Sequence, residues 1–184
     1  GHLLREWVKS SEDLQDASVD TAINDAIEVL ELALETDRTR PYASFTRVNL
    51  WTELASSYAV RARRGGEHDA SQEAVLADFQ SSREAVNTAR TIAPDTYYPI
   101  DVLAWATMDL AKTGILSDTE RAEAAAELLL TFGTTDPFLF GAASAERFLR
   151  RQIAVGAVIG DTTLSEASFD ELRRLGSPAG VVLR

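Results

Sequence analysis

Cysteine is missing from this 184-residue chain, which carries only two histidines and one methionine. Without thiols there is no disulfide and no thiolate-held metal centre, as in the reducing cytoplasm, which is the expected location. The histidines also lack the spacing of a helical zinc site, since neither His-x3-His nor Glu-x2-His occurs. His68 sits in Glu67-His68-Asp69 just after Gly65-Gly66 and reads as a solvated loop residue. That glycine pair follows a helix instead of opening one after a strand, and no Gly-Lys-Ser/Thr is present, so a phosphate cradle is not expected. Long apolar runs are lacking too. None approaches the ~20 residues that cross a bilayer, the stretches around Leu128 and Ile153 being broken by Thr, Gly, Arg or Gln. GHLLREWVKS has no secretory pattern, and Gly1-His2 reads as a cloning remnant.

Positive charge is scarce. Lys and Arg number 18 against 29 Asp and Glu, a net charge of −11, which argues against nucleic acid because a phosphate-tracking surface needs clustered cations. The clusters Arg61/Arg63/Arg64, Arg147/Arg150/Arg151 and Arg173/Arg174 fall late in their helices, where cations complement the helix dipole. The acids Glu28/Glu31/Glu35 and Glu123/Glu127 share helix faces and read as solvated sides opposite a core stripe.

What is abundant is helical punctuation. Glycines at 65/66, 114, 133, 160 and 176 stand where helices should stop. Asp136-Pro137 and Ser177-Pro178 are start signals, Ser117-x-x-Glu120 and Thr163-x-x-Glu166 are capping boxes, and Asp69-x-x-Gln72 is a weaker one. Apolar residues recur every three or four positions, as in Val19, Ile23, Ile27, Leu30 and Leu34, and two-residue alternation is missing. The spacing predicts helices near 3–10, 18–36, 42–64, 70–93, 97–113, 117–132, 137–157 and 165–175, about eight in an all-α chain. A further start at Pro178 has no room to finish, which suggests part of a longer array.

Short connections favour antiparallel hairpins. Small-x3-large-x2-small followed by proline recurs at Ala26/Leu30/Ala33, Ser82/Val86/Ala89 and Ala125/Leu129/Phe132 (where the third residue is Phe), at intervals of about 40–50 residues. With Trp51, Leu54, Ala55 and Tyr58 as W-x2-L-A-x2-Y, and Val86, Ala89 and Pro94 in the following helix, the chain resembles the tetratricopeptide repeat. The likeness covers roughly residues 20–137. It departs from the ~34-residue unit by about 15 extra residues between Trp51 and Pro94, and Ser82 replaces the usual alanine. The resemblance implies a right-handed solenoid of stacked hairpins, spanning 3–184 as one domain, in which Ala55 and Ala89 let backbones approach while Trp51, Leu54 and Tyr58 fill the space beside them.

It also implies a groove lined by the first helix of each unit. In this register Asn49, Thr52 and Ser56 line one unit, and Tyr98, Asp101, Trp105, Met108 and Asp109 the next. A ring and a thioether among hydrogen-bonding groups suit peptide capture, with a cationic or neutral ligand favoured by the acidic surroundings. The expected function is a protein-interaction scaffold that binds a peptide or helix, without cofactor, metal, membrane or catalytic residue. A homodimer is among the partners left open, although a dimer formed through an apolar flank at the C-terminal end would be weak evidence for one in the cell. A regulatory arm of a larger signalling protein such as an NTPase, acting by shape change, is the second reading, and an all-α enzyme the third.

Overall fold

The computed structural model describes residues 16–39, 42–68, 70–94, 96–133, 135–136, 142–160 and 162–174. All regular structure in them is helical: α1 (Asp16–Thr39), α2 (Ser44–Glu67), α3 (Gln72–Ile92), α4 (Tyr97–Thr113), α5 (Asp118–Gly133), α6 (Ala142–Ile159) and α7 (Thr162–Arg174). The expected helix over 3–10, the start at Pro137, Gly176 and the start at Pro178 lie outside the described residues. No helix among these is long and apolar enough to cross a membrane.

Local chemistry explains the ends. Ser117 and Glu120 form the anticipated capping box, Ser117 N donating to Glu120 Oε2 at 2.8 Å and Glu120 N to Ser117 Oγ at 3.3 Å. Gly114 and Gly160 end their helices with φ of +73° and +78°, which a side chain would strain. Three start and stop signals are corrected. The cap of α3 is Ser71, whose side chain accepts from Ala74 N, whereas Asp69 lies outside the described residues. Thr163 falls inside α7 instead of ahead of it. Gly65 and Gly66 do not stop α2, which runs on to Glu67. The reason at Gly65 is space: a Cβ there would meet Val75 Cγ2 at 3.0 Å and Ala70 Cβ at 3.2 Å. Its bareness lets the start of α3 come close.

The chain divides into two compact units, Gly1–Ala106 and Thr107–Arg184, the boundary falling inside α4. In the first, α2 is the middle helix. Its residues pair with α3 in falling order as α2 rises: Ala55 with Ser82, Arg61 with Asp78, Gly65 with Val75. The same holds against α1, where Arg47 meets Asp37, Tyr58 meets Glu31 and Arg64 meets Asp20. Both neighbours therefore run antiparallel to α2. The Asp37 carboxylate also accepts from Tyr42 N at 2.6 Å, fixing the connection between α1 and α2. Ala55 and Ala89 are both fully buried, and the Ser82 hydroxyl, buried as well, donates to the Ala55 carbonyl at 2.8 Å. Serine where alanine was expected thus keeps the seam narrow and adds a bond across it.

In the second unit α6 and α7 form a hairpin. Ser168 Oγ donates to Gln152 Oε1 at 2.8 Å and Ser165 Oγ to the Ile153 carbonyl at 3.4 Å, again in antiparallel order. Phe132 of α5 meets Phe148 of α6 edge to face at 5.1 Å between ring centroids. That geometry suits the ring quadrupoles.

Candidate binding groove between α1 and α3

One row of α2, made of Trp51, Leu54, Tyr58, Arg61 and Gly65, recurs every three or four residues and so shares a face. This face looks into a groove walled by α1 on one side and α3 on the other. It holds two clefts in line. The first, about 480 Å³, is bounded by Glu31, Leu34, Glu35 and Arg38 of α1, Trp51, Leu54 and Tyr58 of α2, and Ser81, Glu84, Ala85 and Thr88 of α3. The second, about 540 Å³, lies nearer the α2–α3 connection and is bounded by Asp20, Asn24, Arg61, Arg64, Gly65, His68, Ala70, Ala74, Val75, Ala77 and Asp78.

A polar bar separates them. The Arg61 guanidinium donates to both oxygens of Asp78, at 2.8 and 2.6 Å, and to Asn24 Oδ1 at 2.9 Å, tying α3 to α1 across α2. Its Cζ lies 5.3 Å from the Tyr58 ring centroid, within cation–π range. The Tyr58 hydroxyl donates to Glu31. Burial first, then the hydrogen bond to Glu31 and its negative charge, push the Tyr58 phenol up to about 12. The hydrogen bond to Asp78 raises the Arg61 guanidinium, which stays charged. Arg64 closes the far end by pairing with Asp20 at 2.8 Å. Arg64 lies in the last turn of α2, as expected of a complement to the helix end, and is also a tie to α1, whereas Arg61 falls before the last turn and is a structural tie.

The groove is not on the face that the sequence reading chose. The row Asn49, Thr52 and Ser56 lies on nearly the opposite side of α2 from the Trp51 row, about 170° round at ~100° per residue. Asn49 is exposed, but Thr52 and Ser56 are buried, and Thr52 Oγ1 donates to the Val48 carbonyl at 2.7 Å. They offer no surface to a ligand. Trp105, expected to be a partly exposed ring, is 3% exposed, which corrects its role to core. Tyr98, Asp101, Met108 and Asp109 are half-buried, Asp101 accepting from Tyr97 Oη at 3.0 Å and Asp109 lying 3.8 Å from Lys112 Nζ. The unit boundary falls between Trp105 and Met108, so these residues do not share one unit.

Trp51 and Tyr58, assigned to filling space between helices, are half-exposed parts of the groove floor, and Leu54 is its buried part. Val86 is buried and Pro94 is exposed. Glu31, Glu35 and Glu84 were missed as lining residues. The signal was present: Glu31 and Glu35 flank Leu34 on one turn of α1, and such mixed rows occur where a face is neither core nor free surface. Among the described residues no cluster of His and carboxylate side chains could hold a metal ion.

Comparison with known proteins finds no matching family model, no matching curated protein and no matching solved structure. The reading of the groove rests on its own geometry.

Proposed function

We propose that this chain is a tetratricopeptide-like interaction module that holds a peptide or helix of a partner protein in the groove along α2. The carrying observation is the line of two clefts floored by one row of α2. From Trp51 to Gly65 that row extends about 21 Å at ~1.5 Å per residue, close to four turns of a docked helix. Half-exposed aromatic side chains in a long cleft are the usual anchors of such recognition. The repeat reading draws support from the antiparallel order of α1, α2 and α3 and from the buried small residues Ala55, Ser82 and Ala89 along it. A stack of hairpins of this kind leaves one face of its middle helix available.

The test is site-specific photo-crosslinking in a source lysate. A benzoylphenylalanine at Ser81, on the wall of the first cleft, should capture a discrete partner, and the same residue at exposed Asn87 should not. A Glu31→Ala/Trp51→Ala double substitution should abolish the Ser81 adduct. Equal capture from both positions would remove the groove from consideration.

A further inference from the structure

The two halves of the groove differ in charge. In the half beside Trp51, Glu31 and Glu35 come from one wall and Glu84 from the other, against the single cation Arg38. An anionic side chain entering there would be repelled from both walls. An apolar one would strip water from carboxylates and give nothing back. A long side chain with an apolar stem and a cationic head meets neither penalty. Its stem can lie on Leu34, Leu54 and Ala85, and its head can reach the carboxylates and the indole face.

The protein already uses this chemistry one step along the same row. Arg61 sits with its guanidinium near the Tyr58 ring, chelated by a carboxylate from α3 and an amide from α1. Two turns back, Trp51 stands in the row as Tyr58 does, and Glu84 of α3 and Glu35 of α1 line the same cleft, to whose lining α2 supplies no cation. Leu54 occupies that step of the row. The same kinds of group line this cleft, and its one guanidinium, that of Arg38, is outnumbered three to one by carboxylates.

We infer that the cleft beside Trp51 receives an arginine or lysine side chain of the bound segment. This specifies the partner's chemistry and rests on the groove reading above. The elevated Tyr58 phenol agrees with it, since burial and then Glu31 hold that hydroxyl protonated at the edge of the same cleft.

The experiment uses the whole chain and three fluorescein-labelled amphipathic 15-residue helical peptides, identical except for arginine, norleucine or glutamate at two positions one turn apart. Fluorescence anisotropy should rank them arginine, norleucine, glutamate, the first pair differing by about fivefold or more, as two rim ion pairs and a cation–π contact predict. A Glu31→Gln/Glu35→Gln/Glu84→Gln variant should erase that preference, so that the arginine and norleucine peptides bind it alike. Higher salt should weaken the arginine peptide selectively. Equal binding of the arginine and norleucine peptides, both blocked by the cleft-filling Ser81→Trp, would overturn the charge assignment and keep the groove. Binding that Ser81→Trp leaves intact would overturn the groove as well. Failure of the arginine peptide to bind at millimolar concentration would overturn the inference.

Discussion

The hairpins α2–α3 and α6–α7 each bury one serine that donates across the seam at 2.8 Å, yet they do so in different ways. Ser82 reaches a backbone carbonyl, that of Ala55. A hydroxyl on a single carbon can do this only where two helix backbones come close, and the fully buried Ala55 permits it. Ser168 reaches a side chain, the amide of Gln152, among the large buried residues Phe148, Leu149, Val155 and Leu172. At Ser82 the first seam is closed by small residues, and at Ser168 the second is bridged by a long amide side chain. Small residues between α2 and α3 leave the bulky Trp51 and Tyr58 free to line the groove floor. In the second hairpin, large side chains are consumed in the packing itself.

That contrast can be broken most forcefully by reversing residue size. Leu172→Ala should cost about 2–5 kcal/mol in urea denaturation, because a filled seam suffers from a void. Ala55→Leu should cost about 1–3 kcal/mol, because a closed seam suffers from added volume. If Ala55→Leu were neutral, the helices would not be in the close approach described. Ser168→Ala comes next, at about 1–3 kcal/mol, because it leaves the buried Gln152 oxygen without that donor. Ser82→Ala should cost less, about 0.5–1.5 kcal/mol, since a helical carbonyl keeps its bond from the amide four residues on.

The pH effect at the alkaline end should belong to the first unit. The Tyr58 phenol is raised from 10.0 to about 12, so folding favours its neutral form. The resulting stability is fully present below pH 10 and is lost as pH rises towards 12. Tyr58→Phe should flatten that loss, measured by denaturation at pH 9 and pH 11 with ultraviolet titration of the phenols. The smallest effect belongs to the second unit. Glu120 is held below its ordinary value by hydrogen bonds from Ser117, so its contribution is present above the unfolded carboxylate range and fades as pH falls through the folded value. Ser117→Ala should move the Glu120 resonance part of the way back to an ordinary carboxylate titration by NMR, the backbone bond from residue 117 remaining, with little change in stability.

Sequence periodicity conveyed the helical class and the positions of α1 to α5 because helix faces and caps are local properties. Ala55, Ala89 and Ser82 were legible as seam residues for the same reason, being small positions in an otherwise bulky pattern. The groove face was not legible. A helix with neighbours on two sides has more than one apolar row, and periodicity does not say which row meets a neighbour and which is left over. The Trp51 row was therefore assigned to packing and the Thr52 row, nearly opposite it on the helix, to binding. Long-range partners decide the matter: Arg61 with Asp78 and Asn24 is a tie between three helices that no local pattern contains.

Gly65 carries a consequence for how the groove ends. A glycine inside a helix forfeits about 1 kcal/mol of helical preference relative to alanine. Here the absent methyl is what keeps Val75 and Ala70 at their present distance while the same residue borders the second cleft. That corner of the groove is therefore bare main chain, a hard stop whose position cannot be tuned by side-chain rotation. A ligand reaching it would be measured against a fixed edge.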